Sequence, residues 1–528
     1  MVELLNKRPR SELPADAHPL ARRLAREVEG EVLFGRADRG RYATDASFYQ
    51  IMPAGVLVPK TMDDALKGLA IAREMGVPVT ARGGGTSQCG QTINSGLVID
   101  TSKHLNKVLA FDKDKRTCTV EPGLVLDDLN RWLKPHGLWF PVDVSTASRA
   151  TLGGMAGNNS CGGRSLRYGT MRDNTIAIAA ALADGRKVTF GPASRAGAHG
   201  NEAAPDRELL RAMLALGARE ADEIRARFPK VQRRVGGYNL DALLPENRDA
   251  NLAHLLVGSE GTLAVTASAE LNLLPRPKHR GILVPQFATL AAALDALAAC
   301  LELGPSAVEL MDRMLIELAA KQRSLKDTMA AVRGRPEALF MVEFSGDDAA
   351  DVSYRVHELE RRLRGAPGLT AAVPALDPAV RDPLWNLRRA ALPLLFGTVG
   401  DRKPATFVED CAVAPEKLPE FAARFRDILH RHGTDGCFYG HASVGCLHIR
   451  PVLNLHDPAD VRTMRAITAE VVALVLEFGD ERLINDPPWF GKFRDFPVYL
   501  IGFAAMLPPR VRPTQNWFQN AVYPRRPI

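Results

Sequence analysis

The chain has 528 residues, 46% of them hydrophobic and 24% charged, which is room for two or three domains and ordinary for a soluble globular protein. Its 68 Lys and Arg against 61 Asp and Glu leave a net charge of +7 without a clustered basic run, so a nucleic-acid groove is not expected and small anionic ligands are. Seven scattered cysteines include no Cys-x-x-Cys, which argues against an iron–sulfur cluster or zinc ribbon; with no apolar leader at the N-terminus, a reducing, cytoplasmic setting and no transmembrane segment are expected.

Residues 1–45 are charged and predict a leading helix and loop. A βαβ-like unit follows, with strands at 56–58 and 77–80 around a helix over 61–75. Thr61 and Asp64 form a capping-box pattern at its start, and Gly76 stops it. The second strand runs into Arg82-Gly83-Gly84-Gly85-Thr86-Ser87. Glycine accepts positive φ and lacks a side chain, so successive N–H groups can converge on an anion. The spacing matches neither a Walker A loop nor G-x-G-x-x-G. A lone glycine triplet fits a solvent turn equally well. Strands are predicted at 97–99 and 117–120. Residues 151–170, TLGGMAGNNSCGGRSLRYGT, then interleave glycines with Asn158, Asn159, Ser160 and Ser165, and add Arg164 and Arg167. That density of hydrogen-bond donors suits an extended, anionic ligand. Residues 190–206 read as an exposed excursion, and an apolar strand at 255–257 leads into Gly258-Ser259-Glu260-Gly261-Thr262-Leu263.

From about residue 276 to 455 strand-like runs (281–284, 339–344, 406–408) alternate with Ala/Leu/Arg-rich helices, which suggests an antiparallel sheet covered by helices. Residues 438–450, FYGHASVGCLHIR, carry His441 and His448. A turn centred on Val444 and Gly445 would place the two imidazoles directly opposite each other, with Cβ atoms about 5 Å apart. Such a pair suits one divalent metal, and it equally suits a stacked or hydrogen-bonded pair. A helix over 461–478 follows, capped by Asp457 with Pro458 at its start. Residues 481–528 then hold 9 of the 33 aromatics and 8 of the 36 prolines, a shift abrupt enough to read 480–528 as an aberrant, frameshift-like tail.

In order, PVTARGGGTS, LGGMAGNNSCGGRSLRYGT, GGYN and GSEGTL resemble the FAD-binding domain of the p-cresol methylhydroxylase / vanillyl-alcohol oxidase type (the PCMH type). The likeness is strongest to FAD-linked D-2-hydroxyacid dehydrogenases, in the bacterial D-2-hydroxyglutarate dehydrogenase branch, and spans roughly residues 30–479. It implies an α+β fold: a two-part FAD-binding domain over 46–275, an antiparallel-sheet substrate or cap domain over 276–455, and a helix over 456–479 returning towards the FAD domain. It places the FAD pyrophosphate on Arg82, Gly83, Gly84, Gly85, Thr86 and Ser87. Gly153, Gly154, Gly157, Asn158, Asn159, Ser160, Gly162, Tyr168, Gly169 and Thr170, with Glu260, Gly261 and Thr262, would wrap the pyrophosphate and isoalloxazine. Thr86 and Ser87 stand where covalent members carry histidine, so non-covalent FAD is implied.

The resemblance further implies that His441 and His448 hold a divalent metal, zinc by expectation, and serve catalysis. Arg388, with Arg389 as alternate, and Lys403 would bind substrate carboxylates; on residue type alone, solvated helix charges explain them as well. The implied reaction is oxidation of a D-2-hydroxyacid, favouring D-2-hydroxyglutarate, with electrons passed to an external acceptor. A homodimer is compatible with it. Two departures stand out. Leu392 occupies the position of a hydroxyl residue, and the Ser-Gly-Glu-His-Gly-Asp-Gly motif that supplies a third metal ligand and a base is replaced by Asp480-Glu481-Arg482 onwards. Weak metal binding and slow turnover are therefore expected. Two rivals stay open: a D-lactate or glycolate enzyme of the same fold, and a flavin-binding remnant without turnover.

Overall fold

The computed structural model describes residues 18–195, 203–247, 249–408 and 410–479. The tail read as aberrant, 480–528, and residues 196–202 of the excursion at 190–206 lie outside these residues.

The first sheet has four strands. Gly55–Val58, wholly buried, runs parallel to Leu97–Asp100, which pairs in parallel with Val79–Arg82, while Glu31–Leu33 lies antiparallel on the far edge. The helix between the strands is Met62–Glu74. Thr61 Oγ1 accepts from the Asp64 N–H at 3.2 Å, but Asp64 does not return the bond as a capping box would. Its carboxylate accepts instead from the backbone of Glu29 and Lys60, fastening the chain entering the sheet. The strand expected at 77–80 starts two residues later, so it ends at Arg82 and delivers the glycine loop straight from the sheet edge.

The second sheet is antiparallel, in the order Val108–Asp112, Thr117–Val120, Ala264–Asn272, Thr175–Leu182, Lys187–Phe190. The apolar run 255–257, expected as a strand, lies instead in and just after a short helix, Ala253–Leu256. Hydrophobicity cannot separate the two forms over three residues; here Asn251 Oδ1 accepts from the Ala253 N–H at 2.9 Å and favours the helical turn.

The third sheet has eight antiparallel strands and helices on both faces. Along its strand Ala338–Gly346, Phe340, Val342 and Phe344 enter one core with the helices Ala349–Leu363, Leu418–Arg431 and Pro458–Gly479. Leu339 and Met341 enter another with Arg313–Ala320 and Pro378–Phe396. Alternate residues thus fill opposite faces, both dry. The run 406–408, expected as a strand, is not one. Lys403 pairs with Leu453 and Cys411 with Leu447, so eight steps along one segment meet six along the other and the surplus leaves the ladder. That excursion brings Thr406, Phe407 and Asp410 to the cavity described next. The fold is α+β. Among the described residues no helix is long and apolar enough to cross a membrane.

Candidate active site

The three glycine-rich segments, far apart in sequence, meet around one cavity of about 580 Å³. The join is Glu260. Its Oε1 accepts from Gln91 Nε2 at 3.3 Å and Asn158 Nδ2 at 3.0 Å, and its backbone N–H donates to Gly157 O at 2.8 Å. The glycine loop is pressed so closely on the second segment that side chains would not fit. A Cβ on Gly83 would stand 2.0 Å from Thr151 Oγ1, and one on Gly84 would stand 2.2 Å from the Arg149 carbonyl. Gly85 supplies the positive φ, +62°.

Arg82 through Ser87 line the cavity, as do Gly153, Gly154, Gly157, Asn158, Asn159, Ser160, Gly162, Glu260 and Gly261. Four residues expected at the ligand stand behind the wall. Tyr168 hydroxyl meets Ser345 Oγ at 3.2 Å, Gly169 turns the chain at φ +71°, Thr170 is held by Asp173, and Thr262 bonds Tyr238 and the Ser259 carbonyl. Arg82 lines the wall but spends its guanidinium on the carbonyls of Tyr42, Thr44 and Thr92. It fastens loops rather than offering a free charge.

At the end of the cavity walled by the third sheet lie the two histidines. They are not directly opposed. The connection is a short turn, Ala442–Val444, closed by Gly445 at φ +69°, so His441 pairs with Cys446 and His448 with Tyr439. The pairing is therefore diagonal, yet still on one face, since His448 lies two residues beyond Cys446. The rings sit 5.0 Å apart and the Nε2 atoms face each other at 3.4 Å. Each Nδ1 faces a carboxylate: His441 meets Glu309 at 2.8 Å and His448 meets Asp410 at 2.5 Å. The Glu309 carboxylate on His441 Nδ1 places that ring's proton there and turns its Nε2 lone pair towards His448. Burial lowers the His441 pKa to about 4, keeping it neutral. Arg388 and His441 beside Glu309 hold that carboxylate ionised, against the effect of its own burial. Among the described residues no group of three or more His, Cys, Asp or Glu is arranged to hold a metal ion.

Arg388 reaches the cavity from the helix Pro378–Phe396. Its Nε donates to Glu309, and its terminal nitrogens make no hydrogen bond among the described residues. Arg389 and Leu392 also reach the wall. Lys403 does not line the cavity: its Nζ turns to the Thr398 carbonyl, because its strand pairs at the far end of Cys446–Leu453.

A model of the FAD binding domain matches residues 53–191, and one of the C-terminal domain of FAD linked oxidases matches residues 276–479. The chain therefore carries an FAD binding domain followed by the C-terminal domain of FAD linked oxidases. It is 33% identical over 470 residues to the D-2-hydroxyglutarate dehydrogenase of Pantoea ananatis, covering 86% of this chain and 46% of that protein. The chain thus spans about half the length of that relative. It is 27% identical to glycolate oxidase subunit GlcD of Bacillus subtilis, covering 86% of this chain and 85% of that one. The fold is shared with p-cresol methylhydroxylase, at a TM-score of 0.60 and 14% identity over 93% of this chain and 92% of that one.

Several residues that shape the site carry no local sequence signal. Arg164 forms a bidentate pair with Glu343, also reaches Asp143 at 3.1 Å and stacks 4.0 Å over Trp385. That network joins the second glycine segment to the third sheet. Tyr439 lies between two guanidinium groups, those of Arg388 and Arg450. Glu309, Asp410 and Arg233 come from three further separate segments. An unpaired charge among buried residues is a property of tertiary structure, although Asp410 lies two residues beyond the predicted strand 406–408 and Arg233 three residues before the GGYN motif.

Proposed function

We propose that this chain oxidises a D-2-hydroxyacid, D-2-hydroxyglutarate foremost, to the 2-oxoacid, passing electrons to an external acceptor. The observation that carries this reading is a facing pair of imidazoles and a buried arginine at one end of the cavity whose other walls are the glycine segments. FAD bound by residues 82–87, by Gly153 to Gly162 and by Glu260 and Gly261 would supply the hydride acceptor. Thr86 and Ser87 offer no ring nitrogen for a flavin bond, which supports non-covalent binding. In this reading residues 46–275 form the FAD domain and 276–455 the substrate domain.

The chain's own groups then divide the work. The terminal nitrogens of Arg388 bind a substrate carboxylate, and the inward Nε2 atoms of His441 and His448 receive the hydroxyl, whose proton must leave as hydride departs from the same carbon. The Nε2 spacing of 3.4 Å supports a metal there too. Two nitrogens bound tetrahedrally to zinc at about 2.0–2.1 Å stand about 3.4 Å apart, and carboxylates behind each ring are the usual supporting shell. A divalent ion held by the pair would lower the hydroxyl pKa. With two protein ligands among the described residues, its binding is expected to be weak.

A second reading, a D-lactate or glycolate enzyme, is favoured by Leu392 on the cavity wall and by the turning away of Lys403, which leave fewer polar groups for a second carboxylate. Anaerobic turnover with D-2-hydroxyglutarate, D-lactate and glycolate decides between them. Preference for the five-carbon diacid supports the first reading. Preference for a monocarboxylate supports the second, and a yellow protein that none of the three reduces overturns both.

A further inference from the structure

Four arginines lie buried around the cavity: Arg164, Arg233, Arg388 and Arg450. A buried cation is costly unless paired. Arg164 has Asp143 and Glu343, and Arg388 has Glu309. Arg450 donates to Tyr439 and Gln88 and has a further partner. Arg233 differs. It is 5% exposed, and no carboxylate lies within 4.0 Å of it among the described residues. Its two hydrogen bonds are long, 3.4 Å each, to the carbonyls of Gly162 and Cys161, and its Nε is buried with no acceptor. The groups facing it electrostatically are the thiols of Cys161 and Cys446, Asp410 and Glu309. Burial pushes the Cys161 thiol up to about 11 and that of Cys446 well above its ordinary value, so neither brings negative charge near neutral pH. Asp410 is directed to His448, and Glu309 to His441 and Arg388.

The position is as telling as the missing partner. Arg233 donates to Gly162, and Gly163 is packed so tightly on Glu309 that a Cβ would stand 2.4 Å from its Oε1. Glu309 in turn holds His441. Arg233 therefore lies on the histidine side of the cavity, and its charge is felt by His441. In a 2-hydroxyacid the hydroxyl and the C1 carboxylate sit on adjacent carbons. A group placed beside the hydroxyl site faces C1 and not a distant carboxylate.

We infer that Arg233 is a substrate-binding residue that takes the C1 carboxylate of the hydroxyacid as its missing counter-ion. Every 2-hydroxyacid has that group, so Arg233 sets the requirement for an acid and leaves discrimination of chain length to Arg388, Arg389 and Leu392. The inference rests on the hydroxyacid reading for its ligand, but not for the existence of an anion site.

The test uses the FAD-loaded full chain and the variants Arg233→Gln, Arg233→Met and Arg233→Lys. Oxalate and 2-oxoglutarate are titrated as non-oxidisable probes, read by perturbation of the flavin spectrum. Thermal melts of the apoprotein with and without oxalate are run in parallel. Loss of a charge-assisted carboxylate bond should weaken both probes about 10- to 150-fold in Arg233→Gln, with partial recovery in Arg233→Lys. Oxalate should raise the melting temperature of the parent chain and not that of Arg233→Met. Arg233→Met without oxalate should melt no lower than the parent, since an unpaired buried charge has been removed. KM should rise alike for D-lactate and D-2-hydroxyglutarate. Unchanged probe affinity in folded Arg233→Gln overturns the inference. So does a shifted flavin midpoint potential with unchanged probe affinity, which would turn Arg233 towards the cofactor, and so does a KM rise confined to diacids. If the parent binds oxalate through Arg233 yet oxidises no hydroxyacid, the functional reading fails and the anion site stands.

Discussion

Glu260 shows what single residues contribute. It sits at φ +51°, half-buried on the cavity wall with its carboxyl between two amide donors, and partial desolvation raises its pKa to about 7 against those two hydrogen bonds. A raised carboxyl favours the folded state only while protonated. Below about pH 4.5 both states carry the proton and Glu260 costs nothing. Between about 4.5 and 7 the unfolded chain ionises first, and folding loses stability up to a plateau above pH 7, on the order of 3 kcal/mol. Glu260→Gln should therefore match the parent apoprotein at pH 4 and exceed it in melting temperature at pH 8. A gap that does not grow across that window would show Glu260 ionised in the fold.

Arg388 and Lys403 separate at the same scale. Arg388→Ala strands Glu309 in the core with His441 alone, so it should cost about 3–5 kcal/mol of stability and also weaken hydroxyacid binding. Lys403→Ala should leave hydroxyacid affinity within about twofold, because its ammonium serves a backbone carbonyl away from the cavity. Equal losses of affinity in the two variants, measured by flavin titration, would return Lys403 to the site. The glycine loops were legible in sequence because close backbone approach can be written in only one residue type. The partners of the charges were not: Arg388 reads identically whether it meets Glu309 or solvent, and Glu309 is 79 residues away.

Elements were legible where a local signal and the tertiary demand agree. Thr61 marks its helix, and Asp457 caps the helix Pro458–Gly479 through the Ala459 N–H at 2.8 Å. Where the run was short and apolar, context decided, as at 255–257, and where surplus residues had to leave a ladder, as at 406–408, nothing local announced it. The histidine hairpin was half legible. Its strands and the shared face were, but the register was not, because the connection is a longer turn rather than a two-residue one. Gly445 fixes that register: it has φ +69°, and a Cβ would stand 1.7 Å from the Val413 carbonyl. Gly445→Val should displace both histidines, lowering kcat by at least about 100-fold while FAD stays bound, if the pair acts on the hydroxyl proton. Full activity with normal flavin content in that variant would free the histidines from any role.

At the scale of the whole molecule, the cavity is a joint product of two halves. The glycine segments supply three walls, the third sheet supplies the histidine end, and the Arg164–Glu343–Trp385 network locks the two together with buried charge. The matches to an FAD binding domain and to the C-terminal domain of FAD linked oxidases fall on those two halves. The claim at the centre of this account is that one continuous cavity holds FAD and a hydroxyacid end to end. Anaerobic addition of D-2-hydroxyglutarate to the purified, FAD-reconstituted chain tests it most directly, followed by absorbance at the flavin band and then by acid precipitation. The expected result is a yellow protein whose band bleaches on addition of the hydroxyacid, slowly if metal is scarce, and whose FAD leaves with the supernatant. A chain that cannot be reconstituted with FAD, or a flavin band that neither D-2-hydroxyglutarate, D-lactate nor glycolate alters, would contradict it.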